Sequence, residues 1–292
     1  MQNYESNEPQ NFPQPPVKKD FLPTDSMPVS PDNPPWNSLA AIGVWLASFI
    51  FIAVVPLVTL FPYLISKGVL SNPNGMAELI QNDPKAILWS IVGIIPAHLL
   101  TFVLAWLVIT GFSKKYSFKK TVGWEWNGFN IWTSVIILGG FFILAGIVSY
   151  YFPEQENDLV RILKSSREAV FVVAFMATFT APLVEEVIYR GILYSAFQRS
   201  AGVPAAVALV TILFALVHVP QYWGSPSTIF MLTILSLILT LVRARTKNLL
   251  PCVALHTLFN GIQSLLLIAQ PYLEKAAENN QSPPAFFIHL FK

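Results

Sequence analysis

Long stretches of this chain carry no charge, and that feature limits what it can fold into more than any other. The window 38–65 contains no Asp, Glu, Lys or Arg. It exceeds the ~18 apolar residues that mark a transmembrane helix candidate, and several further windows do the same. Charged residues make up 12% of the 292, against ~25% in soluble domains. With mean hydropathy at +0.54, little room is left for a soluble globular enzyme and none for a disordered or collagen-like chain. Seven spans follow from apolar length, near 38–65, 87–112, 131–152, 169–197, 203–223, 228–243 and 249–270. The fold class expected is all-α, a polytopic transmembrane helix bundle of about seven spans. Pro182 lies inside the long fourth span and predicts a kink there.

Nine of the 23 prolines fall in residues 1–36, among Asn, Gln, Ser and Asp. Such a segment buries too little apolar surface to offset chain entropy, so a disordered Pro-rich tail is expected. It lacks the basic start and short apolar core of a cleaved secretory signal, so the first span is expected to be retained. At the other end, Pro284–Phe291 is apolar but too short to cross a bilayer. The chain thus divides into the tail 1–36, N-terminal membrane helices 37–168, a core 169–272 and a C-terminal tail 273–292. A net charge of +2 makes no field strong enough to argue for nucleic acid. The single cysteine, Cys252, excludes an internal disulfide and a cysteine metal cluster.

Orientation rests on the Lys and Arg of the short loops. Placing Lys114, Lys115, Lys119 and Lys120 in the cytoplasm puts Arg199, Arg243, Arg245, Lys247, Lys18 and Lys19 there too. The other side receives Lys67, Lys85, Arg161, Lys164, Arg167, Lys275 and Lys292, so the bias is ten against seven. The expected location is the plasma (inner) membrane, with the N-terminal tail cytoplasmic and membrane lipid as a partner.

In so apolar a chain the informative charges are the ones inside the spans. An ionisable group at a helix centre costs roughly 2.5–3.5 kcal/mol even on the lenient insertion scale, so it marks a site by default. The fourth span carries Glu185, Glu186 and Arg190. Glu186 and Arg190, four apart, can pair on one face, while Glu185 points about 100° away. A structural ion pair explains Glu186 and Arg190 but leaves Glu185 unaccounted for. His218 lies within the fifth span, and His256 and Asn260 share a face early in the seventh. His98 and His289, without polar companions in sequence, read as packing residues. A carboxylate, two imidazoles and a carboxamide can build a hydrolytic centre: base, water or metal holder, and oxyanion donor. No serine or cysteine adjoins a histidine in these segments, which disfavours a covalent nucleophile, and there is no HExxH.

The arrangement resembles the CAAX protease and bacteriocin-processing (CPBP, or ABI) family, which includes the type II CAAX prenyl endopeptidases. Its motifs EExxxR, FxxxH and HxxxN/D read here as Glu185-Glu186-Val-Ile-Tyr-Arg190, Phe214-Ala-Leu-Val-His218 and His256-Thr-Leu-Phe-Asn260, in order and each in an apolar span. The resemblance covers 169–262 and implies that 169–272 is the catalytic core of an intramembrane endopeptidase acting on membrane-associated peptides or proteins. It implies Glu185 as the water-activating base assisted by Glu186, His218 and His256 as holders of water or metal, Asn260 at the oxyanion, and a structural Arg190. As for a cofactor, it leaves open a divalent metal, zinc by its ligand chemistry, or none. Two other readings stay open: a non-catalytic immunity or scaffold protein of the same fold, and a transporter or proton pathway. Seven spans stand where the prenyl endopeptidases have eight. On the expected boundaries His218 also lies at the far end of its span while His256 is only ~10 Å into its own, so the fifth span must tilt or start later than Gly202.

Overall fold

The computed structural model describes residues 28–127, 129–153 and 157–280. The expectations for residues 1–27, for His289 and for Pro284–Phe291 lie outside these. Among the described residues the regular structure is helical, apart from one isolated bridge between Ser30 and Asn33. Helix α1 is Ser38–Ser66, and α2 (Pro73–Asn82) lies beyond the first span. The second span is built from α3 (Pro84–Val92) and α4 (Ile94–Thr110). It breaks at Gly93 because Pro96 has no N–H to offer the Val92 carbonyl. Gly93 is also a point of close approach to α1, since a Cβ there would collide with Thr59 Oγ1 and lie 2.6 Å from Pro56 Cα.

After the short α5 (Phe118–Val122), α6 (Ile131–Tyr151) crosses back. The amphipathic α7 (Asp158–Ser165) leads into the fourth span. That span runs from Arg167 to Ala201 as α8 (Arg167–Phe175), a π-helical turn (Met176–Thr180), α9 (Ala181–Glu186), a second π-helical turn (Val187–Leu193) and α10 (Tyr194–Ala201). The disturbance expected at Pro182 is thus the wide turn just before it, which relieves the clash of the ring with the preceding carbonyls. Then come α11 (Val203–His218), α12 (Pro226–Thr246) and α13 (Leu250–Asn280).

Among the described residues six helices are long and apolar enough to span a bilayer, and α11 is a shorter apolar helix. The fifth span, expected over 203–223, is corrected here. Its 16 helical residues reach about 24 Å, short of the ~30 Å hydrocarbon core. Residues 219–225 turn instead of continuing.

Apolar side chains such as Leu57, Val58 and Phe61 on α1 stay exposed. That is expected of a surface that meets lipid, where burial against another helix brings no hydrophobic gain. The main buried core joins α1 and α4 to the fourth span, with Ala41, Val44, Ala105 and Ile109 against Val187, Ile192 and Leu193. Part of the expected disordered tail belongs to this core. Residues 28–36 are corrected from tail to strap: Trp36 is buried and its indole donates to Ile192 O at 3.1 Å. Arg199 donates to Pro34 O, and Asp32 accepts from Gln198 and pairs with Lys247 at 2.6 Å. An indole and an aspartate meeting waiting partners outweigh the proline-rich composition around them.

Candidate functional site

Glu186 and Arg190 face each other across the second π-turn, both fully buried, with Arg190 Nη1 donating to Glu186 Oε1 at 2.8 Å. The pairing expected from their spacing is present. Arg190 uses its remaining donors on α12: Nε reaches Thr240 Oγ1 and Nη2 reaches both Ser236 O and Ser236 Oγ. Its guanidinium also lies over the Phe214 ring, 4.9 Å from the centroid.

The same Glu186 Oε1 accepts from His256 Nδ1 at 2.8 Å. A carboxylate already paired with arginine is ionised, so the imidazole must supply the hydrogen. In the neutral ring this leaves Nε2 as a lone pair, and it faces Glu185 Oε2 at 3.8 Å. Glu185 is a quarter exposed, whereas Glu186 is sealed. Neighbours in sequence, the two carboxylates differ in situation: one orients the histidine and the other looks into open space.

That space is a cavity of about 460 Å³ lined by Glu185, His218, His256 and Asn260, with Phe214 and His98. His218 donates from Nδ1 to Phe214 O, one turn back, at 2.7 Å. Its Nε2 is therefore also a lone pair in the neutral ring. The Phe214 ring brings the two imidazoles together, with its centroid 4.7 Å from that of His218 and 6.1 Å from that of His256. A Cβ on Gly191 would lie 3.5 Å from Leu249 Cδ2, so the second π-turn packs against the start of α13.

Asn260 spends one amide hydrogen on Ala177 O of the first π-turn, at 2.8 Å. Ser264 extends the seam to Ala174 O and Thr178. Wide turns leave carbonyls for neighbours to bond, and both are used this way: Ala177 by Asn260, Arg190 O by Arg243 Nε and Ile192 O by Trp36.

Sequence reasoning passed over two groups. His98, read as packing, lines the cavity with its Nδ1 2.9 Å from Thr180 Oγ1, so its polar companion comes from another helix. Arg243, expected in a cytoplasmic loop, is corrected: it is fully buried and bonds Arg190 O and Ser195 Oγ. Its signal was present, since Ser236, Thr240 and Arg243 recur at spacings of four and three and make a polar stripe on an apolar helix.

Two Nε2 lone pairs and a carboxylate are suitable donors for a divalent metal. The spacing does not match them, because among the described residues no three His, Cys, Asp or Glu side chains are gathered to hold an ion. Glu186 is already committed to Arg190 and His256.

The fold and this centre define an integral membrane protein with a carboxylate–histidine site inside its helices. Residues 167–262, a third of the chain, match the family of type II CAAX prenyl endopeptidase, Rce1-like proteins. The match overlies the three motifs and bears out the resemblance they carry, and it supports a peptidase of the CAAX endopeptidase type. No curated protein and no solved structure matches the chain.

Proposed function

We propose that the protein is an intramembrane endopeptidase in which Glu185 activates water for attack on a peptide bond of a membrane-associated polypeptide. The observation that carries this reading is the asymmetry of the carboxylate pair. Glu186 is locked by Arg190 and fixes the His256 tautomer, while Glu185 faces the cavity across 3.8 Å from the free Nε2. A water placed between them donates one hydrogen to Glu185 and the other to His256 Nε2. As its oxygen attacks the carbonyl, Glu185 takes the first proton and the carbonyl π electrons move to oxygen. The second N–H of Asn260 is available to that oxyanion. Collapse of the tetrahedral intermediate breaks the C–N bond, and Glu185 returns its proton to the leaving amine. No step is routed through a metal.

The scaffold and transporter readings are less well supported. A scaffold does not require a carboxylate held beside an imidazole lone pair in a cavity. A proton path across the membrane would have to continue past the layer filled by Arg190 and Arg243. The test is Glu185→Gln in proteoliposomes with a membrane peptide. The amide is nearly isosteric but accepts no proton at neutral pH, so hydrolysis should fall about 10²–10⁴-fold with melting unchanged. Wild-type hydrolysis by that variant would refute the reading. Chelator treatment of the wild type should leave the rate intact. Loss of activity restored by zinc would instead place an ion on His218 and His256.

A further inference from the structure

Helix α4 carries one ionisable side chain, His98, in an otherwise apolar run from Ile94 to Thr110. A polar group at that depth is costly unless it is paired or put to use. One ring nitrogen is paired, since Nδ1 lies 2.9 Å from Thr180 Oγ1. The other, Nε2, has no partner among the described residues, yet it is not sealed off. It opens into the cavity that His98 shares with Glu185 and Asn260. His98 also stands outside residues 167–262, so the family match assigns it no role.

Thr180 decides whether Nε2 carries a hydrogen. Its hydroxyl has one hydrogen and two neighbouring acceptors, His98 Nδ1 at 2.9 Å and Met176 O at 3.4 Å. Met176 O already accepts from the Ala181 N–H. The hydroxyl hydrogen therefore goes to Nδ1, the nearer acceptor and the one with no other donor. A neutral ring that accepts at Nδ1 keeps its hydrogen on Nε2. His98 is thus the reverse of His218 and His256, which donate from Nδ1 and present Nε2 lone pairs. Those two rings can accept from a water, whereas this one offers the cavity a donor.

The first π-turn sets where that donor sits. The fourth span lines the cavity with Ala177, Ala181 and Glu185, at spacings of four. Asn260 reaches the turn from α13 through Ala177 O, and His98 reaches it from α4 through Thr180. Helices α4 and α13 both pack against α9. A carbonyl lying over Ala181, beside Glu185, is therefore offered one N–H from each helix. We propose that His98 is a further catalytic residue, its Nε2–H sharing with the Asn260 amide the carbonyl oxygen of the scissile bond as that oxygen becomes the oxyanion. Two fixed donors in a site without bulk water stabilise the developing charge more than one does. No proton leaves His98, and proton transfer runs through Glu185 alone. The role rests on the peptidase reading, whereas the tautomer does not.

The tautomer is read without turnover, by solid-state NMR of the full chain in lipid bilayers with ¹⁵N-labelled histidine. The His98 signals are assigned as those missing from His98→Gln. At neutral pH Nε2 should carry the hydrogen and Nδ1 should be bare, in the wild type and in Glu185→Gln alike. A His98 ring protonated on Nδ1 would overturn the proposal. In hydrolysis of a membrane peptide, His98→Leu should lower kcat about 10²-fold with KM and melting temperature nearly unchanged. His98→Gln, which returns an N–H donor of similar reach, should recover most of that loss. A loss that Gln does not recover, or wild-type hydrolysis by His98→Leu while Glu185→Gln is inactive, would remove His98 from the reaction and leave the peptidase reading standing. Wild-type hydrolysis by Glu185→Gln would refute that reading and this role with it.

Discussion

Glu185 and Glu186 are adjacent in sequence but belong to two different regions, a sealed polar layer and an open cavity. In the sealed layer nearly every donor has a fixed partner. Arg190 alone makes four hydrogen bonds, to Glu186, Thr240 and twice to Ser236. In the cavity the groups are held from behind and left open in front: His218 and His256 by Nδ1, and Asn260 by one amide hydrogen. Stability and reactivity have thus been separated between residues one peptide bond apart. Glu186, sealed completely, has its charge compensated by Arg190, while Glu185 keeps access to the cavity.

The largest effects should come from breaking the sealed layer. Arg190→Ala leaves Glu186 ionised and without its cation, at a cost of about 3–5 kcal/mol. Glu186→Gln strands the guanidinium and loosens His256. Both variants should lower the melting temperature and the folded yield before specific activity falls. An inactive Arg190→Ala protein with wild-type melting would move arginine into the cavity chemistry and erase the distinction. Asn260→Ala sharpens the comparison, because Asn260 has one hydrogen in the seam and, in the proposed reaction, one for the oxyanion. Loss of an oxyanion donor is worth roughly 10²–10³ in kcat. The expected outcome is a fall in kcat with KM nearly unchanged and a smaller loss of melting temperature than Arg190→Ala shows. A larger fall in melting than in rate would make Asn260 a seam residue alone.

What could be read from the sequence follows the same division. The spans were legible because charge exclusion over a bilayer's width needs no tertiary knowledge. Glu186–Arg190 was legible because the pair lies on one helix at a spacing of four. Partners that join separate helices were not: His98 with Thr180, Arg190 with Ser236, and Arg243 with the Arg190 carbonyl. Nor does a sequence show a π-turn, which here sets which carbonyls are free for Asn260, Arg243 and Trp36. The meeting of His218 and His256 was not legible because it depends on separate helices packing around the Phe214 ring. The strap was missed because composition averages over residues, while Trp36 and Asp32 act singly.

The smallest expected effect tests whether the strap belongs to the sealed layer at all. Burial by itself would raise the Asp32 carboxyl above its ordinary value of 3.8, but bonds from Lys247 and Gln198 and the charges of Lys247 and Arg243 outweigh it and hold it lower. A carboxylate depressed in the folded state contributes stability above its unfolded value, and that contribution is lost as pH falls through the folded value. The contribution should therefore be intact at pH 7 and decline only below about 3.8. Lys247 is two-thirds exposed, so screening and side-chain entropy keep the pair within about 1 kcal/mol. Asp83, at the opposite end, is held low mainly by the Ala86 N–H, with Tyr63 and Lys85 adding to it, and should respond to acid in the same direction. Thermal melts of wild type, Asp32→Asn and Asp83→Asn between neutral and acid pH separate the two ends. Each variant should start slightly less stable at pH 7 and lose less on acidification than the wild type. If Asp32→Asn also lowers kcat while Asp83→Asn does not, the strap is coupled to Glu186 through Arg243 and Arg190. If neither changes kcat, the strap closes its end of the bundle without setting the position of the catalytic groups.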